Sequence, residues 1–295
     1  MNKLGLVTVL YNSDDVLEGF IRSLSLQTFN QYHLYIIDNS PSAKTEVLIN
    51  LLTKEYPIIA FSHICNIKNE GIAKANNTGI RLALADGCSH VLLLNNDIEF
   101  YQNNLLKDIL SASITAKEPI VIPKILFFDS KKIWMAGGRL CKFNAVTYHI
   151  GEGKKDSASF NRHTHFAMAP TCFMLIEKSV FAKVGLIDED YFVYYDDTDF
   201  IYRASQAGYQ ILYLPTLEVH HKVSSSTGGR QSNFSLYYWN KNRILFIKKN
   251  LSHIYRFVSL AYIITTTLIK LFIYRTPQRK AMLKGVKDGF ASQIN

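Results

Sequence analysis

The chain has 295 residues, 48% of them hydrophobic and 19% charged. That balance excludes a disordered chain, and the length allows one large α/β domain plus an appendage. The net charge of +9 is confined to the tail: residues 241–295 hold eleven Lys/Arg and one acid, Asp288, out of 33 bases and 24 acids in all. Nucleic-acid binding is disfavoured, because the tail's bases surround an aliphatic stretch and do not interleave with a polar face.

Leu4 to Leu10 reads as a buried strand. No basic segment followed by an apolar one precedes it, so no signal peptide is expected. Tyr11-Asn12-Ser13 is a polar turn, and Val16 to Leu26 has helical spacing, with Val16, Leu17, Phe20, Ile21 and Leu24 on one face. Leu34 to Ile37 is a second strand, ending in Asp38-Asn39-Ser40, and Ile58 to Ile64 a third, ending near Asn66. Ile72 to Leu84 reads as a helix and Val91 to Leu94 as the fourth strand. This alternation predicts a parallel, doubly wound sheet with right-handed crossovers.

The fourth strand runs directly into Asn95-Asn96-Asp97. Open α/β sheets place ligands at such C-terminal strand ends. On extended backbone Asn95 and Asp97 would face one side and Asn96 the other. An amide and a carboxylate together suit a hard divalent cation, which in turn holds a diphosphate. A polar turn after a core strand is the plain alternative. With Asn12 and Asp38-Asn39 converging on the same rim, a nucleotide site is expected. There is no GxGxxG after the first strand and no GxxxxGK[ST], which disfavours dinucleotide and P-loop chemistry. The cysteines (Cys65, Cys88, Cys141, Cys172) are far apart and form no CxxC pair. They read as reduced thiols of a cytosolic protein, with neither a disulfide framework nor a zinc site indicated.

Phe257 to Tyr274 is an apolar run interrupted by Lys270 and several Ser/Thr, and flanked by Arg256, Arg275, Arg279 and Lys280. A basic, apolar helix lying on an anionic membrane surface accounts for both features. A span sits at the short limit of length, and a buried C-terminal helix pair is the alternative.

Taken in order, eight segments resemble the family 2 glycosyltransferases of GT-A fold, in the branch with bacterial rhamnosyl- and galactofuranosyltransferases. They are Val7-Thr8-Val9-Leu10-Tyr11-Asn12, Ser23-Leu24-Ser25-Leu26-Gln27-Thr28, Ile36-Ile37-Asp38-Asn39-Ser40 and Asn69-Glu70-Gly71-Ile72-Ala73-Lys74-Ala75-Asn76-Asn77. Leu94-Asn95-Asn96-Asp97, Trp134-Met135-Ala136-Gly137-Gly138 and Phe192-Val193-Tyr194-Tyr195-Asp196-Asp197-Thr198-Asp199 with Arg203 follow, and His221 comes last. The likeness covers roughly residues 4 to 250. It implies a GT-A domain over residues 1–250, with a nucleotide-sugar half (1–100) and an acceptor and catalytic half (101–250), and a helical tail over 251–295.

The resemblance also implies roles. Tyr11 and Asn12 would line the floor under the nucleoside, and Asp38 would accept hydrogen bonds from base or ribose. Asn69 with Gly71 would let the backbone approach the nucleotide, beside Asn95 and Asn96. Where the family usually has Asp-x-Asp, this chain keeps only the second acid, Asp97. His221, followed by Ser224-Ser225-Ser226-Thr227-Gly228, is the other candidate ligand for Mn²⁺ or Mg²⁺. Asp197 would be the general base of an inverting transfer and Asp196 a contact to sugar hydroxyls. Asp199 and Arg203, four apart on a helix, read as a structural pair. Trp134, Trp239 and Arg243 are acceptor-side candidates.

The expected activity is sugar transfer from a nucleotide-diphosphate donor, dTDP-L-rhamnose first, to a lipid-linked oligosaccharide of a surface polysaccharide (O-antigen or capsule). It would take place at the inner face of a bacterial cell membrane. A galactofuranosyl- or other UDP-hexose transferase is the alternative. A degenerate, non-catalytic binding module, favoured only by Asn95, is the competing class. Self-association of the chain is left open.

Overall fold

The protein is described by a computed structural model over residues 3–40, 42–223, 229 and 231–294. Its N-terminal half runs β1 (Leu4–Leu10), α1 (Asp14–Ser25), β2 (Tyr32–Asp38), α2 (Lys44–Glu55), β3 (Phe61–Cys65), α3 (Ile72–Ala85) and β4 (His90–Leu94). β1 pairs in parallel with both β2 and β4, and β2 with β3. Three of the four apolar runs read as strands are strands throughout, while Ile58–Ile64 is one only from Phe61, and the spaced apolar residues of α1 face the core. α2 has no counterpart in the sequence reading. It buries Thr45, Ile49 and Leu52 but exposes Val47 and Leu51, so its apolar residues form no single stripe.

Small residues let α3 lie directly on β1. A Cβ on Gly79 would come within 2.4 Å of the Val7 side chain, and one on Gly5 within 2.5 Å of Ala83.

The chain continues through β5 (Ile98–Glu99), α4 (Leu105–Ala116), β6 (Ile120–Phe127), β7 (Ile133–Met135), β8 (Gly138–Cys141), β9 (Val146–His149) and β10 (Thr164–Phe166). Then follow β11 (Phe173–Glu177), α5 (Lys178–Val184), α6 (Asp196–Gln206) and β12 (Ile211–His221). The strand order is β10-β12-β6-β11-β4-β1-β2-β3. β11 inserts antiparallel between β4 and β6, while β12 runs parallel to β6. The sheet is therefore mostly parallel, as the resemblance implied. β8 and β9 form a separate hairpin.

Three helices close the chain: α7 (Asn233–Asn250), α8 (His253–Ile273) and α9 (Thr276–Ala291). α9 meets α7 through two glycines. A Cβ on Gly285 would lie 2.3 Å from the Tyr237 carbonyl oxygen, and one on Gly289 2.8 Å from that of Lys241. A division at residue 250 thus separates in sequence two helices that share one close interface. α8 differs from both. Ser259, Ile263 and Thr267 face inward, and the Ser259 hydroxyl donates to the Lys142 carbonyl at 2.6 Å. The opposite face exposes Ile254, Phe257, Ile264, Leu268 and Phe272. By length and composition α8 could cross a membrane, and 17% of its most apolar window is buried.

Candidate active site

An open cleft of about 250 Å³ lies at the C-terminal ends of β1 and β4, walled by Tyr11, Ser13, Asn39, Asn69, Gly71 and the Asn95-Asn96-Asp97 triplet. Phe192, Val193 and Phe234 close its other side. Gly71 is required where it stands. Its φ is +84°, and a Cβ would meet the Phe192 carbonyl oxygen at 2.5 Å. The Asn69 side chain accepts from the Gly71 amide at 2.9 Å, and the Asn39 amide donates to the Gly71 carbonyl at 3.2 Å. Asn12, with φ 48°, donates its backbone N–H to the Ser40 hydroxyl at the lip.

Asp38 is buried at the end of β2 and accepts from the Ser40 amide at 2.7 Å, with His63 Nε2 at 3.3 Å. Burial pushes its carboxyl up, but the hydrogen bonds from His63 and Ser40 outweigh burial and hold it below its ordinary value.

The triplet after β4 is a turn, where extended backbone with alternating sides was expected, and all three residues line the cleft. The cause is β5, which follows at once and pairs antiparallel with β12, His221 opposite Ile98. The Asn96 side chain donates to the Ser13 hydroxyl, and the Asn95 backbone N–H to the Cys172 carbonyl at 2.8 Å. The same pairing carries the end of β12 to Asp97. His221 Nε2 lies 3.1 Å from Asp97 Oδ1, with both side chains buried. Its neighbour His220 turns away to pack edge-on against Tyr101. The run Ser224–Gly228 lies outside the described residues.

Two adjacent ligands of an octahedral cation with bonds of about 2.1 Å stand roughly 3 Å apart. The carboxylate and imidazole are therefore spaced to hold one. His221 Nδ1 is buried with no hydrogen-bond partner among the described residues.

A smaller cavity adjoins the acidic pair. Asp197 and Thr198 line it with Gly138, Thr147, Tyr148, His149, Met168, Ala169 and Pro170. Asp196 and Asp197 open α6, preceded by Tyr194 and Tyr195 at φ 63° and 67°. Two successive non-glycine residues in the left-handed region cost on the order of 1 kcal/mol each or more, and persist only where the surroundings impose them. Here α7 does so. The Asn242 amide donates to the carbonyls of Val193 (2.7 Å) and Tyr194 (3.1 Å), and the Tyr194 hydroxyl meets that of Ser235 at 2.9 Å. The Tyr195 hydroxyl donates to the Ala145 carbonyl at 2.7 Å.

Burial pushes the Asp197 carboxyl above its ordinary value, against the opposing hydrogen bonds from Thr198. Burial and then the Asp197 charge push Asp196 up as well. The buried Cys172 thiol is raised by burial and then by the charges of Asp97 and Asp197.

The remaining expected groups divide between structural and partly exposed positions. Asp199 and Arg203 form the structural pair, Nε to Oδ2 2.7 Å. Trp134 is largely buried between His149 and His221, ring centroids 4.3 and 4.5 Å away, and so packs behind the Asp97–His221 pair. Arg243 is not brought to the site. It is buried, donates to the Asn144 carbonyl and lies over the Tyr262 ring at 5.5 Å. Its guanidinium is engaged in packing between α7, α8 and the turn at Asn144. Trp239 is partly exposed and sits edge-on to Tyr194 and Tyr195. Ser13, Tyr148, His149 and Phe234 were not picked out from sequence. Ser13 lay within a turn already noted, but nothing local marks the β9 residues Tyr148 and His149.

Among curated proteins, the dTDP-rhamnosyl transferase RfbF of Shigella flexneri is 26% identical over 229 residues, 74% of this chain and 72% of that protein. The low-salt glycan biosynthesis hexosyltransferase Agl10 of Haloferax volcanii is 23% identical over 83% of this chain and 75% of its own length. A stretch of 55 residues, 19% of this chain and 18% of the relative, is 42% identical to the N-acetylglucosaminyl-diphospho-decaprenol L-rhamnosyltransferase of Mycobacterium tuberculosis. Among solved structures, GalNAc-T7 with UDP, GalNAc and Mn²⁺ superposes with a TM-score of 0.60 at 15% identity. That match covers 83% of this chain and 51% of the other, so the chain spans about half of that structure's length. Staphylococcus aureus TarS 1–349 in complex with UDP gives a TM-score of 0.56 at 12% identity, over 92% of this chain and 72% of the other. These two likenesses concern the fold. The family model described as glycosyl transferase family 2 matches residues 6–185, more than half of the chain, and the chain belongs to that family.

Proposed function

We propose that the protein is an inverting transferase that moves a deoxyhexosyl group, L-rhamnose, from its dTDP-linked donor to a lipid-linked oligosaccharide at the inner face of a bacterial membrane. The observation carrying this reading is that Asp97, paired with His221, lines the larger cleft while Asp197 lines the smaller cavity. In this reading the nucleoside lies over Tyr11 towards Asp38, and the diphosphate lies against Asn95, Asn96 and Asp97. Asp97 and His221 are the residues that would hold a divalent cation. Bound there, Mn²⁺ or Mg²⁺ supplies positive charge to the leaving diphosphate.

Asp197 takes the proton of the acceptor hydroxyl as that oxygen forms its bond to the anomeric carbon. The bond from that carbon to the diphosphate oxygen breaks, and the nucleoside diphosphate leaves without needing a protein acid. A carboxyl raised by burial suits this task, because a base is most useful with a pKa nearer the working pH. Asp196 holds sugar hydroxyls. Tyr148 and His149, beside Asp197, contribute to the acceptor wall.

Support for the donor comes from two relatives named as rhamnosyltransferases. Support for the acceptor comes from the diphospho-decaprenol in one of those names, and from an apolar face on α8 that would sit at the lipid surface. A UDP-hexose is the second donor reading, since solved neighbours carry UDP. Slow hydrolysis of a panel of dTDP- and UDP-sugars, with and without EDTA, tests donor and metal together. Turnover of dTDP-rhamnose that EDTA suppresses is expected. Preference for a UDP-hexose overturns the donor, and full activity in EDTA overturns the metal.

A further inference from the structure

The end of β3 holds a second set of metal-ligating groups, apart from Asp97 and His221. In the parallel pairing of β2 with β3, Asp38 stands opposite Cys65 and Ile36 opposite His63. His63 and Cys65, two residues apart on one strand, project to the same face. The ladder itself therefore gathers a carboxylate, an imidazole and a thiol. His63 Nε2 is 3.3 Å from Asp38 Oδ2 and 3.5 Å from Cys65 Sγ, and one donor atom from each of the three lies within 4.8 Å of the others.

We infer that Asp38, His63 and Cys65 form a site for a single thiophilic divalent cation of the zinc class. Tetrahedral Zn²⁺ with bonds of about 2.0–2.1 Å to nitrogen and oxygen and about 2.3 Å to sulfur sets N and O roughly 3.4 Å apart, and N and S roughly 3.6 Å apart. Two of the three donor separations already match. Cys65 is exposed and β3 ends the strand order, so the cation has an entry path and its remaining position faces solvent. A donor set of S, N and O selects Zn²⁺ over the hard Mg²⁺ and Mn²⁺ that suit a diphosphate. On binding, the Cys65 thiol loses its proton to solvent and the thiolate joins the metal. Asp38 Oδ2, which faces His63, then lies on the cation, and the metal draws negative charge from the carboxylate. Zinc thus weakens hydrogen bonding of Asp38 to a nucleoside, a consequence that rests on the donor reading above.

Cadmium titration of the full-length, reduced protein tests this through the ultraviolet sulfur-to-cadmium charge-transfer band. One saturating equivalent is expected in the wild type. The band should vanish in Cys65→Ser, persist in Cys141→Ser and Asp97→Asn, and require at least about tenfold more cadmium in His63→Ala. No band in the wild type, or an undiminished one in Cys65→Ser, overturns the site and leaves a merely hydrogen-bonded trio. The band is read without nucleotide, so its failure is distinct from failure of the donor reading. A cadmium affinity unchanged by saturating dTDP or UDP overturns the coupling to the nucleotide.

Discussion

The two acidic side chains that open α6 face different surroundings, and their variants should part company. Asp197 borders the smaller cavity, and Asp197→Asn is expected to fold, bind nucleotide and lose at least about two orders of magnitude in transfer rate. Because burial raises this carboxyl and only its ionised form takes a proton, the rate of the wild type should fall on acidification at a pH above that of an ordinary aspartate. A flat rate down to the ordinary aspartate range would remove the base assignment. Asp196 is buried and raised by burial and by Asp197. A carboxyl with a raised folded-state pKa costs stability at neutral pH, and that cost disappears below its unfolded value of about 3.9. Asp196→Asn should therefore raise Tm at pH 7 by about 2 °C or more, narrow that gain as pH falls towards 4, and slow transfer. Thermal scans across pH, run beside an activity assay, check both halves. A loss of stability at pH 7 would show that hydrogen bonding by the carboxylate outweighs its desolvation.

Among elements, the α7–α9 contact carries more than its place near the chain's end implies. α7 holds the Val193 and Tyr194 carbonyls through Asn242, and α9 holds α7 through Gly285 and Gly289. Gly285→Val would drive a side chain into the Tyr237 backbone, an overpacking expected to cost about 1–3 kcal/mol. Denaturant unfolding reads that loss, and unchanged stability would mean the two helices separate freely. The elements themselves were unequally legible. Leu4–Leu10 and Val91–Leu94 announce themselves because a strand buried on both faces is apolar throughout. α2 was hidden by its scattered apolar residues, and the antiparallel insertion of β11 follows from tertiary pairing that no local pattern encodes. The site divides the same way. Asp97 was visible at the end of its strand, but the turn that carries it, and its meeting with His221, depend on β5 pairing with β12. The Asp38–His63–Cys65 trio was invisible because its ligands come from two strands in register, and no spacing within one segment records that.

For the molecule as a whole, the outer face of α8 is an apolar surface that the described residues leave uncovered. Ile254, Phe257, Ile264, Leu268 and Phe272 recur at steps of three, seven, four and four residues, with Phe257 76% and Phe272 90% exposed. Lys270, the one charge within the run, is half-buried and lies off this stripe. Ser259, Ile263 and Thr267 occupy the inner face, so a helix docked on its own domain would lie along a bilayer. Each large apolar side chain moved out of water contributes about 1.5–3 kcal/mol when fully buried, and each Lys or Arg near an anionic leaflet about 1 kcal/mol. The exposed Arg275, Arg279, Lys280 and Lys287 supply that charge beside the stripe. The protein should therefore co-sediment with anionic vesicles, and more weakly in high salt. Replacing Phe257, Leu268 and Phe272 by Ser should abolish most of this partitioning, leave Tm within about 2 °C because exposed positions carry little stability, and spare nucleotide binding. Transfer to a lipid-linked acceptor should then fall further than transfer to a short soluble analogue. The same spacing would also suit a partner helix of a second copy, and the triple variant distinguishes the two. If it pelleted with vesicles like the wild type but changed from dimer to monomer in sedimentation, the stripe would be a self-association seam and the lipid surface would lie elsewhere.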